Sequence, residues 1–418
     1  MIVEPRLRMF IAVLLCIALV ACTGVSTPQP AATTVATAAA STGAVYKIGF
    51  MVSVTGAAST LGEPQRNVAV MLQQQLDAQG GITGPDGVLH PVQILIQDTQ
   101  GSADTAVTLV KKFISDEGVV AIIGSSTSPE SMAILPVTQE AQVPLVSLAS
   151  SSAIVEPVAE RHWVFKTAAS NKHTAPLQVQ YVKANGWTKI ANIYVNNAYG
   201  EDGAAAIRQT AEAEGVEIVY EDTFEASDTD MTAQITKIKA SGAEAVLVTA
   251  IPPAAAIFTK QCSELGLTLP LVHNHGIGMR AFIDLAGADS AEGIVFPMNK
   301  LVAYQALPDD DPQKAVLAQF VADYEAYAKQ PPTSFATHAW DAFSIVFAAL
   351  GRLPDGLSLA EQRSRLRDEI EATKGFVGLD GVFTFSAEDH VGLSSKDMVL
   401  VRITKGDWVY VPQEQWAQ

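Results

Sequence analysis

Apolar and polar positions alternate along this chain in one repeated unit. A short β-branched apolar run is followed by a small polar turn, then by a segment with apolar residues every three or four positions that ends in glycine. The apolar runs predict strands over Tyr46–Val52, Val92–Gln97, Val119–Ile123, Leu145–Leu148, Ile190–Val195, Glu217–Tyr220, Ala245–Thr249 and Leu271–His273. Between them, NVAVMLQQQLDAQG, ADTAVTLVKKFISDEG and DMTAQITKIKASG carry the helical period. Strands alternating with helices of roughly 10–15 residues imply parallel sheets covered on both faces. The series breaks near Phe165–His173, which divides it into two doubly wound halves. Past Pro297 the pattern loosens into long helical stretches, QKAVLAQFVADYEAYAKQ and THAWDAFSIVFAALGRL. It closes on strand-like GVFTFS and MVLVRITKGDWVYV, the latter turning at Lys405-Gly406-Asp407. The predicted fold is α/β, with two doubly wound parallel-sheet lobes of Rossmann-like build. Ligands of open sheets bind at the carboxyl ends of the strands, so two lobes facing each other across a hinge form a cleft with the site inside it.

The N-terminus adds a compartment. Arg6 and Arg8 precede the uncharged run Met9 to Ala21, too short to span a bilayer but suited to the apolar region of a secretory signal. Leu19-Val20-Ala21-Cys22 resembles the lipobox of lipoproteins, which implies a signal peptide over residues 1–21 and a lipid on the sulfur of Cys22. Residues 22–44, rich in Thr, Ala, Ser and Pro and free of charge and aromatic side chains, read as a flexible tether. Cys16 leaves with the signal and Cys22 carries the lipid, so Cys262, in a helical pattern, is a lone thiol and a small core residue. The formal net charge of −17, with no basic aromatic stripe, excludes nucleic acid as a partner.

A series of short motifs runs through the body in order. It begins with Ile48-Gly49, Thr55-Gly56 and Gly62, then Gly80-Gly81-Ile82 with Gly84, and Asp98 at a strand end. Ile122-Ile123-Gly124 with Ser128, Val143-Pro144-Leu145-Val146-Ser147, and YVNNAYGED around Tyr199-Gly200 follow. FEASDTDMTAQITKIKASGAEAV, Ala286-Gly287 with Glu292-Gly293, and Trp340-Asp341-Ala342 complete it. From about residue 45 to 400 this series resembles the type I periplasmic binding proteins of the leucine/isoleucine/valine-binding kind, the solute receptors of ABC importers. The resemblance implies two lobes joined by a three-segment hinge: lobe 1 from 45–167 plus 298–373, lobe 2 from 168–297 plus 374–418. Crossings are expected near Phe165–Ser170, Phe296–Lys300 and Thr373–Gly378. It implies a small-molecule ligand, closure of the lobes upon it, an ABC permease as membrane partner, a monomer, no cofactor and no enzymatic step. A sensor feeding a membrane signalling partner is the alternative.

Carried over position by position, the resemblance makes Thr127 and Ser128 contacts for a ligand carboxylate. They lie in GSSTSPESMA, where Ser128 reads as a helix N-cap with Pro129 at the first helical position. Ala149, Ser150 and Ser151 fall in the family's second carboxylate loop, Leu61 in its side-chain pocket, and Tyr199 on the far lobe. The departure is LVHNHGIG. His275 stands where amino-acid-binding members carry an acid for the ligand's ammonium, and AIPPAA (Ala250 to Ala255) lacks the tyrosine and acid common there. Glu201 and Asp202 are the nearest substitutes and read as too far round their loop. A neutral imidazole accepts one hydrogen bond but supplies no charge, so an acid or amide without an ammonium suits the site better. His273 ends a strand, and two histidines without further ligands make no tetrahedral metal site. G-x-S-x-G, P-loop and G-x-G-x-x-G patterns are absent. A cleft hydrolase pairing Ser128 with His275 would need a third group to orient the histidine.

Overall fold

In a computed structural model of the chain, the described residues are 42–416. The expected signal segment, Cys22 and nearly all of the tether lie outside them. Two sheets carry the architecture. The first has five parallel strands in the order Val92–Asp98, Tyr46–Val52, Ala121–Gly124, Leu145–Ser147, Val164–Lys166. The second has seven, in the order Asp407–Val411, Met398–Thr404, Val295–Asn299, Leu271–His273, Ala245–Thr249, Lys189–Val195, Glu217–Phe224. Its five strands from the middle of the chain run parallel, whereas the last two are antiparallel. The second sheet is therefore mixed, because the tight turn at Lys405-Gly406 can only return a strand antiparallel. Ala121–Gly124, Leu145–Ser147 and Ala245–Thr249 are buried at every position, as strands covered on both faces must be.

Helices pack in pairs on the first sheet: Ser59–Gln79 along Ser334–Leu350, and Ala103–Lys112 along Ser128–Glu140. Ser334–Leu350 is apolar on most of its circumference and runs through the core, with Phe343 against Phe50 at 5.0 Å between centroids. Cys262 is buried, and burial pushes its thiol up to about 12.

The chain crosses between the sheets between Lys166 and Asn171, again after Asn299, and a third time between His390 and Met398. The third crossing lies beyond the expected Thr373–Gly378. Asp341 on the core helix takes the amides of Leu379 and Asp380, both at 2.7 Å. Asp380 is in turn held by His338 Nδ1 at 2.8 Å and Thr337 Oγ1 at 2.9 Å. The His390 carbonyl then accepts from the Lys166 amide at 3.1 Å, extending the edge of the first sheet. Two buried carboxylates thus keep this segment on the first lobe, where the resemblance implied a crossing.

Two glycines let helices sit on strand ends. A Cβ at Gly62 would lie 2.2 Å from the Ser53 carbonyl oxygen, and one at Gly200 would lie 1.9 Å from that of Val195. Each brings the first turn of a helix down onto the carboxyl end of a strand, where a site in such a fold lies. Gly200→Ala should therefore cost about 1–3 kcal/mol as an overpacked contact. The check is a lower urea midpoint at unchanged denaturant slope.

Candidate functional site

A cavity of about 260 Å³ lies between the carboxyl ends of the two sheets. The first turns of four helices line it: Ser59–Gln79 through Leu61, Ser128–Glu140 through Ser128, Ala198–Glu214 through Tyr199, and Ala254–Glu264 through Ala254. Helix N-termini carry partial positive charge, although Asn197 Oδ1 already accepts the Tyr199 and Gly200 amides, and the Ala58 and Ile251 carbonyls those of Leu61 and Ala255. Leu61, Leu148, Val195, Ile251 and Phe335 supply an apolar wall.

Seven of the eight residues singled out in the sequence line this space: Leu61, Thr127, Ser128, Ala149, Ser150, Tyr199 and His275. Ser151 does not; its amide donates to Ser128 Oγ at 3.1 Å. The helix cap also differs from expectation. Thr127, not Ser128, is the N-cap, because Glu130 folds back to accept from the Thr127 amide at 3.1 Å and hydroxyl at 2.7 Å. Ser128 is then the first helical residue, and no described residue accepts from its amide. The Ser150 amide likewise has no acceptor among the described residues. The buried Glu130 carboxylate also lies 3.0 Å from Ser53 Oγ, fixing the loop to the first strand.

Beneath the second loop lies Lys166, which the sequence reading passed over. It is fully buried, and its ammonium donates to the carbonyls of Ser150 at 2.7 Å and Ser151 at 3.2 Å, and to Ser170 Oγ at 3.0 Å. Burial lowers its pKa to about 7, against an opposing pull from Asp202. The signal was there to read: a lysine ending an apolar strand in Val164-Phe165-Lys166.

The opposite wall is set by a directed hydrogen-bond chain. Asn171 Nδ2 donates to Asp202 Oδ2 at 2.7 Å and to the Tyr199 carbonyl at 3.1 Å, which fixes the orientation of its amide. Its oxygen accepts from Asn274 Nδ2 at 3.1 Å, and the oxygen of Asn274 accepts the His275 backbone amide at 2.6 Å. That same oxygen meets His275 Nδ1, so the proton of the neutral ring sits on Nδ1. Nε2, left with a lone pair, accepts from Ser150 Oγ at 2.7 Å across the lobe boundary. Asp202 also accepts the Ser152 amide at 3.0 Å, so it latches the lobes together and does not line the cavity.

A hydroxyl, an imidazole and an amide in this order resemble a nucleophile relay. Burial, however, pushes His275 down to about 3, too weak a base to take a serine proton near neutral pH. His273 is buried with Nε2 on Thr259 Oγ1 at 3.1 Å and its ring edge on Phe282. Among the described residues no group of His, Cys, Asp or Glu could hold a metal ion, and no helix is long and apolar enough to cross a membrane. Among the described residues, the lining of the cavity contains no charged side chain.

A family model described as "Periplasmic binding protein" matches residues 45–407. The leucine-, isoleucine-, valine-, threonine-, and alanine-binding protein of Pseudomonas aeruginosa is 22% identical over 337 residues, covering 80% of this chain and 85% of that protein. An extracellular ligand-binding receptor from Rhodopseudomonas palustris HaA2 superimposes with a TM-score of 0.80 at 27% identity, covering 88% of this chain and 99% of that one. The branched-chain amino acid transporter substrate binding protein LivJ from Streptococcus pneumoniae, in complex with isoleucine, shares the fold. Its TM-score is 0.74 at 23% identity, over 88% of this chain and 100% of that one.

Proposed function

This chain belongs to the periplasmic binding protein family, extracytoplasmic receptors for small molecules rather than enzymes, and from that premise we propose that it receives a small carboxylate lacking an ammonium and delivers it to an ABC permease. The observation that carries this reading is the charge of the cavity. The helix N-terminus at Ser128 and the buried Lys166 favour an anion, while among the described residues no acidic side chain lines the space. An ammonium buried there without a counter-charge would be costly. The Ser128 and Ser150 amides and the Ser128 hydroxyl are the donors for the carboxylate, and Leu61, Leu148 and Phe335 hold its apolar body.

The lobes, which we take as 45–167 with 298–390 and 168–297 with 391–416, close by population shift, since the ligand touches both only when they meet. The receptor acts as a monomer tethered by a lipid on Cys22. A thermal-shift panel on the full-length protein tests the ligand class, with 4-methylpentanoate, 4-methyl-2-oxopentanoate and benzoate set against leucine, isoleucine and valine. A ligand at a hundred times its Kd stabilises by about 2.7 kcal/mol. A rise with the acids alone is expected, and a rise with the amino acids alone would refute the reading. His275→Ala, which releases the Ser150 hydroxyl and removes one interlobe hydrogen bond, should weaken the bound acid by more than about tenfold. Unchanged affinity on titration calorimetry would remove His275 from the site.

A further inference from the structure

The direction of the hydrogen-bond chain on the second lobe has a consequence for the ligand. Ser150 gives its proton to His275 Nε2, because the Asn274 oxygen, already committed to the His275 amide, keeps the ring proton on Nδ1. Ser150 Oγ therefore presents only lone pairs to the cavity. One residue thus offers two opposite groups side by side, a free amide donor and a hydroxyl acceptor. In the same cavity, with its ring 6.1 Å from that of His275 between centroids, Tyr199 Oη is buried without a full hydrogen bond, although the Gly276 amide leans on it. Burial raises the pKa of this phenol, so it keeps its proton and remains a donor.

Resting on the reading of the cavity as a carboxylate receptor, we propose that the ligand is a 2-hydroxy acid, whose hydroxyl donates to Ser150 Oγ and accepts from Tyr199 Oη while its carboxylate takes the Ser128 and Ser150 amides. A hydroxyl is suited to this place because it carries both a proton and lone pairs. A keto oxygen would set lone pairs against those of Ser150. A methylene would leave the lone pairs of Ser150 Oγ and the proton of Tyr199 Oη without a partner, and sites built to hydrogen-bond a hydroxyl reject analogues without it strongly. An ammonium has no lone pair for Tyr199 and brings a second positive charge close to Lys166.

Titration calorimetry on the full-length protein decides this with two matched series. One is 2-hydroxy-4-methylpentanoate, 4-methyl-2-oxopentanoate, 4-methylpentanoate and leucine; the other is mandelate, phenylglyoxylate, phenylacetate and phenylglycine. Within the series that binds, the hydroxy acid should be tighter than its keto and deoxy partners by about tenfold or more. In Ser150→Ala that preference should shrink to about twofold, whatever happens to absolute affinity. A keto or deoxy acid binding as tightly as the hydroxy acid overturns this proposal and leaves the anion reading standing. Binding of amino acids alone, or of nothing in either series, overturns both. Side-chain nitrogen NMR of the wild-type protein is the second test, independent of any variant. His275 should appear as the neutral tautomer protonated on Nδ1, and a proton on Nε2 would sink the argument.

Discussion

Affinity for a carboxylate ligand should fall as pH rises above about 7, by as much as tenfold per pH unit, and Lys166→Met should abolish that slope. Lys166 is the cation nearest the carboxylate loop, held under the Ser150 and Ser151 carbonyls. Its pKa is lowered to about 7, first by burial; Lys172 lowers it further, while Asp202 and Glu156 oppose. The other titratable groups facing it, His173 and His275, are themselves pushed down in part by Lys166 and stay neutral at this pH. The sign follows from linkage. A bound anion favours the ammonium, so above pH 7 binding must draw in a proton, and each unit of pH then costs up to a decade in Kd. The charge also reaches the ligand through bonds. It polarises the Ser150–Ser151 peptide, whose amide donates to Ser128 Oγ at 3.1 Å, which sharpens the free Ser128 proton as a donor. Unit charges about 8 Å apart at an effective dielectric of 20 attract by about 2 kcal/mol, so Lys166→Met should lose roughly thirtyfold in affinity at pH 6. Calorimetry from pH 6 to 9 reads both effects. A flat wild-type profile would mean the lysine is only a strut for the loop.

Much of this arrangement could be read from the chain, and what could not has physical causes. Tyr46–Val52, Ala245–Thr249 and Leu271–His273 begin and end where their apolar runs do, because continuous β-branched runs between polar turns have few other solutions in a buried parallel sheet. Val164–Lys166 was hidden as a strand by its length and by the lysine that gives it a role. Val295–Asn299 was hidden by Pro297, which is accommodated opposite Leu400 of an antiparallel neighbour. The cap assignment turned on two competing local signals. Pro129 favoured Ser128, but the Thr127-x-x-Glu130 box closes with a carboxylate and wins. The direction of the chain from Ser150 to Asp202 was out of reach altogether. Asn171, Asp202 and Asn274 are far apart in sequence, and their order appears only when three loops meet.

Lowering the pH should destabilise the protein steeply, well before its surface carboxylates titrate. Burial, the largest cause in each case, holds His273 and His275 down to about 3 and His173 to about 4. In the unfolded chain these rings bind protons near pH 6.5. Between about pH 6 and 4 the unfolded state therefore carries protons that the folded state refuses, and stability falls as pH drops through that window. Asp341 works the other way, since burial and the neighbouring Asp380 push its carboxyl well above the usual range, so the folded state holds that proton more tightly than the unfolded chain. The three histidine protons alone correspond to a slope of up to about 4 kcal/mol per pH unit near pH 5, which the raised Asp341 carboxyl offsets in part. Two such units would consume much of a typical folding free energy of about 5–15 kcal/mol. Urea midpoints at pH 7, 6 and 5 measure the slope, and His273→Gln should reduce it by about 1.4 kcal/mol per unit. His273 is the informative site because its partner, Thr259, lies outside the cavity lining, so the change tests burial alone. A slope unaltered by that substitution would mean that protons enter the fold near His275, and that acid parts the lobes at Ser150 before it unfolds either one.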